Sequence, residues 1–247
     1  MKRITTFIIF SFILFSYTDI FSQPLFKLHV YGGYNVPLSG LGGNSNFPLP
    51  DGSTDRFLFM ESGFNAGADF KYFLGKKRNI GLLLNVAYNG YTTGDLQSGG
   101  VGIETDKLND VRIGIGAEYD FLPLKKANPF IGIDLTGNFL SGKSTPDNGG
   151  TETNLHSASR FGLAVGAGVD IMINKSFGFV IGAKFDFMNL IGKQDTSATY
   201  THGTEFPLWD KAVTLGGVSY NAINMMDVQF YGGVTFAFGE PKKMVKK

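Results

Sequence analysis

The stretch DVRIGIGAEYDF, Asp110 to Phe121, alternates residue by residue. Val111, Ile113, Ile115, Ala117, Tyr119 and Phe121 are apolar or aromatic, and Arg112, Gly114, Gly116, Glu118 and Asp120 stand between them. Alternation sustained this long marks a β-strand with two unlike faces. In a soluble sheet the apolar face turns to a core and the other face meets water. Here the other face is glycine and charge, too bare for an ordinary exterior. The fold therefore turns on which face is inside.

The pattern recurs in seven other segments, with apolar faces at Phe26–Val36, Phe64–Leu74, Ile80–Tyr88, Ile131–Phe139, Phe161–Ile171, Phe177–Phe187 and Val228–Phe238. The connections between the eight segments alternate as well. Gly75–Asn79, Pro123–Asn128 and Asn174–Ser176 are short and carry turn formers. Pro37–Leu58, Thr92–Lys107, Ser141–Ser157 and Ile191–Asn224 are long and rich in Gly, Ser, Thr, Asn and Asp. Short–long alternation describes an antiparallel up-and-down meander with all its long loops at one end. Thr196–Phe206 shows no sustained apolar face, so a hairpin in the last long loop is expected above the membrane and not as a ninth and tenth strand.

Aromatic residues end the apolar face near the short turns (Tyr72, Tyr119, Phe121, Phe236, Phe238) and again near the loops (Tyr34, Tyr88, Phe139, Phe187). Membrane–water interfaces select aromatics at both edges of an apolar band. A lipocalin-like soluble barrel would instead have to show water the glycine-rich face. In lipid every backbone group must be paired, so the sheet has to close, and eight strands make the smallest usual closed barrel. The expected fold is all-β, an eight-stranded antiparallel up-and-down transmembrane β-barrel.

The N-terminus agrees. Met1-Lys2-Arg3 is followed by an apolar run, Ile4 to Tyr17, and then by Ser22 before Gln23-Pro24. A charged start, an apolar stretch shorter than a bilayer span and a small residue at the cut read as a secretory leader at 1–22. The barrel then occupies 23–239, and a basic periplasmic tail 240–247. Cleavage removes Lys2, Arg3 and Asp19 from totals of 22 Lys+Arg and 21 Asp+Glu, which leaves a net charge of zero. A neutral chain lacks the basic surface that nucleic acid requires. With no cysteine there is neither a disulfide framework nor lipid attachment at a cleavage-site thiol.

The chain resembles the small eight-stranded outer-membrane barrels of the OmpA/OmpX kind, especially the outer membrane protein beta-barrel domain common in Bacteroidota. The likeness covers about Leu25 to Gly239. It is carried by FKLHVYGGYNVPLSG at the first strand, RFGLAVGAGVDIMI in the sixth and VQFYGGVTFAFG at the end. The resemblance implies partnership with outer-membrane lipid. It also implies an assembly signal for the outer-membrane insertion machinery in the last strand, Val228 to Phe238, which closes on an aromatic. The tail after Phe238 departs from it, because many such barrels stop at the aromatic. These motifs are specific for architecture and poor for function.

Inward positions carry Lys27, Lys71, Arg112, Arg160 and Lys184 against Glu61, Asp69, Glu118, Asp120, Asp134, Asp170, Asp186 and Asp227. Asp69, Arg112, Glu118, Asp134, Lys184 and Asp186 are the expected lumen charge network. Counted from the short turns, Asp69, Asn85, Glu118, Asp134, Lys184 and Gln229 fall at similar depth. Opposite charges in so narrow a tube should pair across it, because lone buried charges are costly. That arrangement makes a structural plug, and a gated small pore is the alternative.

Catalysis is not expected. His156 beside Ser157 and Ser159 is the one serine–histidine cluster, and acyl chemistry needs a serine with a base in reach. His29 faces the lumen near the short turns, and His202 reads as a solvated loop residue. DGSTD, Asp51 to Asp55, resembles the start of a calcium loop, but Arg56 and Ser62 stand where the glycine and glutamate belong. No metal or cofactor is expected. The expected role is a non-enzymatic, monomeric membrane anchor displaying four loops to an unidentified extracellular ligand or serving envelope integrity. Phe206, Leu208 and Trp209 are the contact candidates, unless the FPLW stretch packs within its own loop. A small channel is the second reading and a lipid-modifying enzyme the third.

Overall fold

The computed structural model describes residues 24–42, 47–48, 54–55, 60–75, 77–93, 96–97, 103–123, 125–146, 151–195, 205–215 and 218–239. The expected leader at 1–22, residues 51–53 of the DGSTD turn, His202 and the tail at 240–247 lie outside the described residues.

Eight long strands form the wall: β1 (Phe26–Leu38), β2 (Ser62–Leu74), β3 (Ile80–Thr92), β4 (Ile103–Asp120), β5 (Ala127–Pro146), β6 (Thr153–Met172), β7 (Phe177–Ile191) and β8 (Met225–Phe238). Each pairs antiparallel with the next, and β8 returns to β1 with Phe238 opposite Phe26 and Met226 opposite Leu38. The sheet is a closed barrel, so its wall presents no edge within the apolar band.

The faces fall as the alternation requires. Ile115, Leu135 and Ile181 in mid-band are 68%, 66% and 62% exposed, while Asn85, Arg112 and Asp186 are fully buried inside. Exposed rings ring the band at both ends. Tyr72, Tyr119, Phe121 and Phe238 lie toward the short turns, and Tyr34, Phe64, Tyr88, Phe139 and Phe161 toward the loops. Some of these rings pack together, as in Phe64–Tyr88 and Tyr119–Phe121, with centroids 5.8 and 5.2 Å apart. An exterior this apolar around a polar interior is a membrane-spanning barrel. Among the described residues no helix is long and apolar enough to cross a membrane, and the crossing is made by strands.

Three strands are longer than the sequence suggested. Thr92–Lys107 and Ser141–Ser157 read as loops, yet β4 begins at Ile103, β5 runs to Pro146 and β6 starts at Thr153. Together they rise past the outer aromatic girdle as a wall. Beyond lipid no apolar face is demanded, so the alternation that marks a strand disappears while the ladder continues. Short segments flank the wall: Leu96–Gln97 lies antiparallel on Ile103–Glu104, and Glu205–Phe206 parallel on Asn154–Leu155. The last long loop carries the expected hairpin, Val213–Leu215 with Val218–Tyr220, outside the barrel ladder.

Glycines make room where the lumen is most crowded. Tyr31 and Tyr231 cross the interior with ring centroids 4.9 Å apart. A Cβ on Gly67 would sit 2.7 Å from the Tyr31 hydroxyl, and one on Gly182 2.5 Å from that of Tyr231. Gly116 is tighter still, since its Cβ would lie 1.9 Å from the Ile133 carbonyl oxygen. The sequence suggested only that Gly116 is a small inward residue with polar company. The backbone approach makes any side chain there a clash.

Candidate functional site: the lumen network and the lid over it

The lumen is filled by charged side chains that reach across the barrel in three tiers. Nearest the short turns, Lys27 Nζ donates to Asp120 Oδ2 at 2.7 Å and Asp170 Oδ2 at 2.8 Å. His29 Nε2 lies 2.9 Å from Asp170 Oδ1, and Lys71 Nζ 2.6 Å from Glu118 Oε2. Lys71 also stands over the Phe130 ring at 4.2 Å from its centroid, a cation–π contact.

In the middle tier Lys184 Nζ is 3.3 Å from Asp134 Oδ2 and 4.0 Å from Asp69 Oδ1. Asn85 Nδ2 donates to Asp69 Oδ1 and to the Tyr31 hydroxyl. Above it, Arg112 Nη1 donates to Asp186 Oδ2 at 2.6 Å, and its Nε and Nη2 reach Asn85 and Gln229 at 3.1 Å. The Tyr91 hydroxyl donates to Asp227 and Asn89 to Asp110. Asn85–Asp69 and Asn89–Asp110 join neighbouring strands, whereas Lys27–Asp170, Lys184–Asp69, Arg112–Asp186 and Tyr91–Asp227 join strands that are not neighbours and tie the wall across its interior.

The six expected network residues all lie buried in the lumen, but not as one layer. Glu118 is opposite Gly132 in the β4–β5 ladder and Asp134 is opposite Gly116. Glu118 therefore sits two residues nearer the short turns than Asp134 and pairs with Lys71 instead of Lys184. Strand stagger in a closed barrel displaces residues that equal counts from the turns would align. Glu61, expected inside, precedes β2 and is exposed.

The outer mouth is closed by a lid from the loop between β7 and β8. Arg160 on β6 holds it, with Nε and Nη2 donating to Asp210 Oδ2 and Oδ1, both at 2.8 Å, and both side chains fully buried. Arg160 Nη2 also donates to the Leu208 carbonyl. Asp210 accepts two further bonds, from Asn189 Nδ2 and from the Gln194 N–H. Asn189 in turn donates to the Ile223 carbonyl and accepts from the Met225 N–H. A bulge in β7 opposite β6, between Phe187 and Ile191, provides the irregularity at which Met188 and Asn189 are both buried. Beneath the lid lies an apolar cluster that includes Leu41, Met60, Leu108, Leu140, Met188 and Leu208.

This arrangement relocates the contact candidates. Leu208 and Trp209 are 2% and 4% exposed, sealed into the lid, because an apolar pair beside a buried ion pair packs inward. Phe206 is placed through its backbone, paired with Leu155. Sequence reasoning had Arg160 facing inward but missed its partner. The available signal was Asp210 itself, a single acid directly after the apolar Leu208-Trp209.

The serine–histidine cluster does not assemble as a nucleophile and base. His156 Nδ1 lies 3.1 Å from Glu205 Oε2, and Ser157 and Ser159 are exposed. Among the described residues no group of three or more His, Asp and Glu side chains could hold a metal ion.

No family model matches the chain, and no curated relative matches it. Among solved structures it is similar to Neisserial surface protein A, at 17% identity over 86% of this chain and 97% of that one, with a TM-score of 0.48. It is similar to the outer membrane protein OprG from Pseudomonas aeruginosa, at 13% identity over 90% and 100%, with a TM-score of 0.48. It is similar also to Ail, the attachment invasion locus protein of Yersinia pestis, at 12% identity over 85% and 98%, with a TM-score of 0.40. The barrel assignment stands on this chain's own closed ladder and apolar exterior.

Proposed function

We propose that this chain is a non-enzymatic outer-membrane anchor whose lumen is a structural core and whose contacts are made by the wall of β4, β5 and β6 above the outer girdle. The observation that carries the reading is the mouth. A barrel built to pass solutes has no use for an apolar cluster and a buried Arg160–Asp210 pair across its opening. Below the mouth, inward charges are buried and partnered tier by tier, which supports a core in place of an aqueous path. What rises into solvent is a polar sheet, with Lys107, Ser141, Asn154 and Ser157 among its accessible residues. A rigid scaffold carrying an exposed surface is the usual way a small barrel binds a partner.

Two measurements test this. The barrel reconstituted into a planar bilayer is expected to show no steady single-channel conductance, and ohmic conductance from the wild-type chain would overturn the closed core. An epitope inserted between Pro146 and Thr153 is expected to bind antibody on intact cells. Binding only after lysis would overturn the display of this wall.

A further inference from the structure

The lid is built like a bound ligand. Leu208 lies in the apolar cluster at the mouth, Trp209 beside it is 4% exposed, and Asp210 follows with a fully buried carboxylate. The basin beneath belongs to the wall, since Leu108, Leu140, Leu155, Met188 and Met225 line it from β4 to β8. The receptor for the carboxylate belongs to the wall too. Arg160 on β6 grips it through Nε and Nη2, and Asn189 Nδ2 on β7 adds a third donor, all at 2.8 Å. An apolar body ending in a carboxylate thus fills an apolar basin with a two-pronged cation at its edge.

Sealing alone does not call for this chemistry. A buried ion pair gains little or nothing over apolar side chains of similar volume, so a plain plug could be apolar throughout. Arg160 instead makes a site that another carboxylate can take by exchange. The exchange keeps the charge of the mouth unchanged, and no buried charge is stranded once Asp210 swings out to water. The lid is fitted to swing. Gly192, directly after β7, has a φ of +92°, and Lys193 Nζ donates to Asn224 Oδ1 at 2.6 Å, which pinches the loop at its root. The lid's strand pairing with the wall is two residues long, Glu205–Phe206 on Asn154–Leu155.

We infer that the mouth is a binding site for a carboxylate amphiphile with an alkyl tail, of the fatty-acid class, and that Leu208–Trp209–Asp210 is its autoinhibitory occupant. The ligand carboxylate takes Arg160 and Asn189, and its tail replaces Leu208 and Trp209 in the basin. One polar head on an apolar body matches what the wall offers, a few convergent donors among apolar side chains. A peptide would carry further backbone N–H and C=O groups into the basin, where unpaired polar groups are costly. Arg160 Nη2, now bonded to the Leu208 carbonyl at 3.2 Å, could serve one of them. The ligand enters the mouth and goes no further, because the paired tiers below stay closed.

Trp209 is the only tryptophan in the chain, so its quenching by acrylamide reports the lid. The test titrates the barrel in phosphatidylcholine nanodiscs with radiolabelled dodecanoate, and heat-dependent gel mobility confirms that each variant is folded. The wild-type chain is expected to bind dodecanoate saturably, one per barrel, while Trp209 becomes more accessible. Asp210→Asn weakens the occupant and leaves Arg160 without its anion. Half-saturation should then come at about tenfold lower concentration, because a closed lid reduces the apparent affinity by the fraction that is open. Arg160→Met should also expose Trp209 yet lose saturable binding, which a merely structural latch would not do. Dodecanol and acetate, the tail and the head taken separately, should not compete. No saturable binding to the wild-type chain would overturn the site, and so would unchanged binding in either variant or equal competition by dodecanol. If acetyl-Leu-Phe-Asp-amide displaces dodecanoate at lower concentration than dodecanoate itself requires, the occupant is a peptide segment and the amphiphile is overturned.

Discussion

Arg160→Met should unlatch the lid without dismantling the barrel. The guanidinium makes two bonds to Asp210 and one to the Leu208 carbonyl, and both partners of the ion pair are fully buried. Methionine fills a similar volume but leaves Asp210 with only Asn189 and the Gln194 N–H. Removing one partner of a buried pair costs ~3–5 kcal/mol, because the other charge stays desolvated. The strain falls on the lid, since Asp210 and Leu208 belong to it while β6 remains paired on both sides. Spent on local opening, that cost raises the open population by roughly two to four orders of magnitude. Lys193 and Lys211 flank the latch and give trypsin a site on either side. Limited proteolysis of the folded barrel in micelles should therefore cut at both lysines far faster in the variant, with the wall still resistant. Adding Asp210→Asn removes the stranded charge and keeps an acceptor for Asn189, so cleavage should slow again. If cutting at Lys193 and Lys211 is unchanged in Arg160→Met, the ion pair does not hold the lid and the argument fails.

Three other perturbations separate the faces, the tiers and the chemistry. Ile115→Arg places a charge in mid-band, where the cost is ~2–4 kcal/mol, so refolding into vesicles in urea should suffer. Gly114→Ala on the lumen face meets only ordinary contacts and should be tolerated, whereas Gly116→Ser should fail on the Ile133 carbonyl; tolerance of Ile115→Arg together with failure of Gly114→Ala would turn the barrel inside out. Lys184→Met should lower the urea midpoint, with partial recovery on adding Asp134→Asn. Adding Glu118→Gln should give none, because Glu118 belongs to Lys71. His156→Ala should leave cellular lipid composition unchanged, and loss of an acyl-modified product in that strain would restore the enzymatic reading.

The wall was legible because lipid enforces it. Every residue from Val111 to Phe121 had to choose between hydrocarbon and lumen, and the choice shows in its chemistry. The short turns were legible for a local reason: Asn174 Oδ1 accepts from both the Ser176 and Phe177 N–H groups, a turn written in one side chain. Past the outer girdle the constraint ends. Ser141–Pro146 and Thr153–Ser157 face water on one side and a lid on the other, so they carry no periodic signal although they are strand. Asp210 was hidden because its partner is fifty residues away and no local pattern predicts a tertiary ion pair.

The misplaced depth of Glu118 bears on how the barrel finds its stagger. A slip of one residue between neighbouring strands turns every lumen side chain to lipid, so alternation alone forbids it. A slip of two residues keeps each face correct, and alternation cannot detect it. The tiers can. Lys27 ties β1 to β4 and β6 at once, Lys71 ties β2 to β4, and Arg112 ties β4 to β3, β7 and β8. A two-residue slip at β4 would carry Glu118 away from Lys71, Asp120 away from Lys27 and Arg112 away from Asp186 together. Each broken pair strands a buried charge, and those costs accumulate where the apolar exterior is indifferent. The lumen charges thus supply the information the exterior lacks: lipid sets which face is out, and the cross-barrel pairs set the stagger at which the barrel closes.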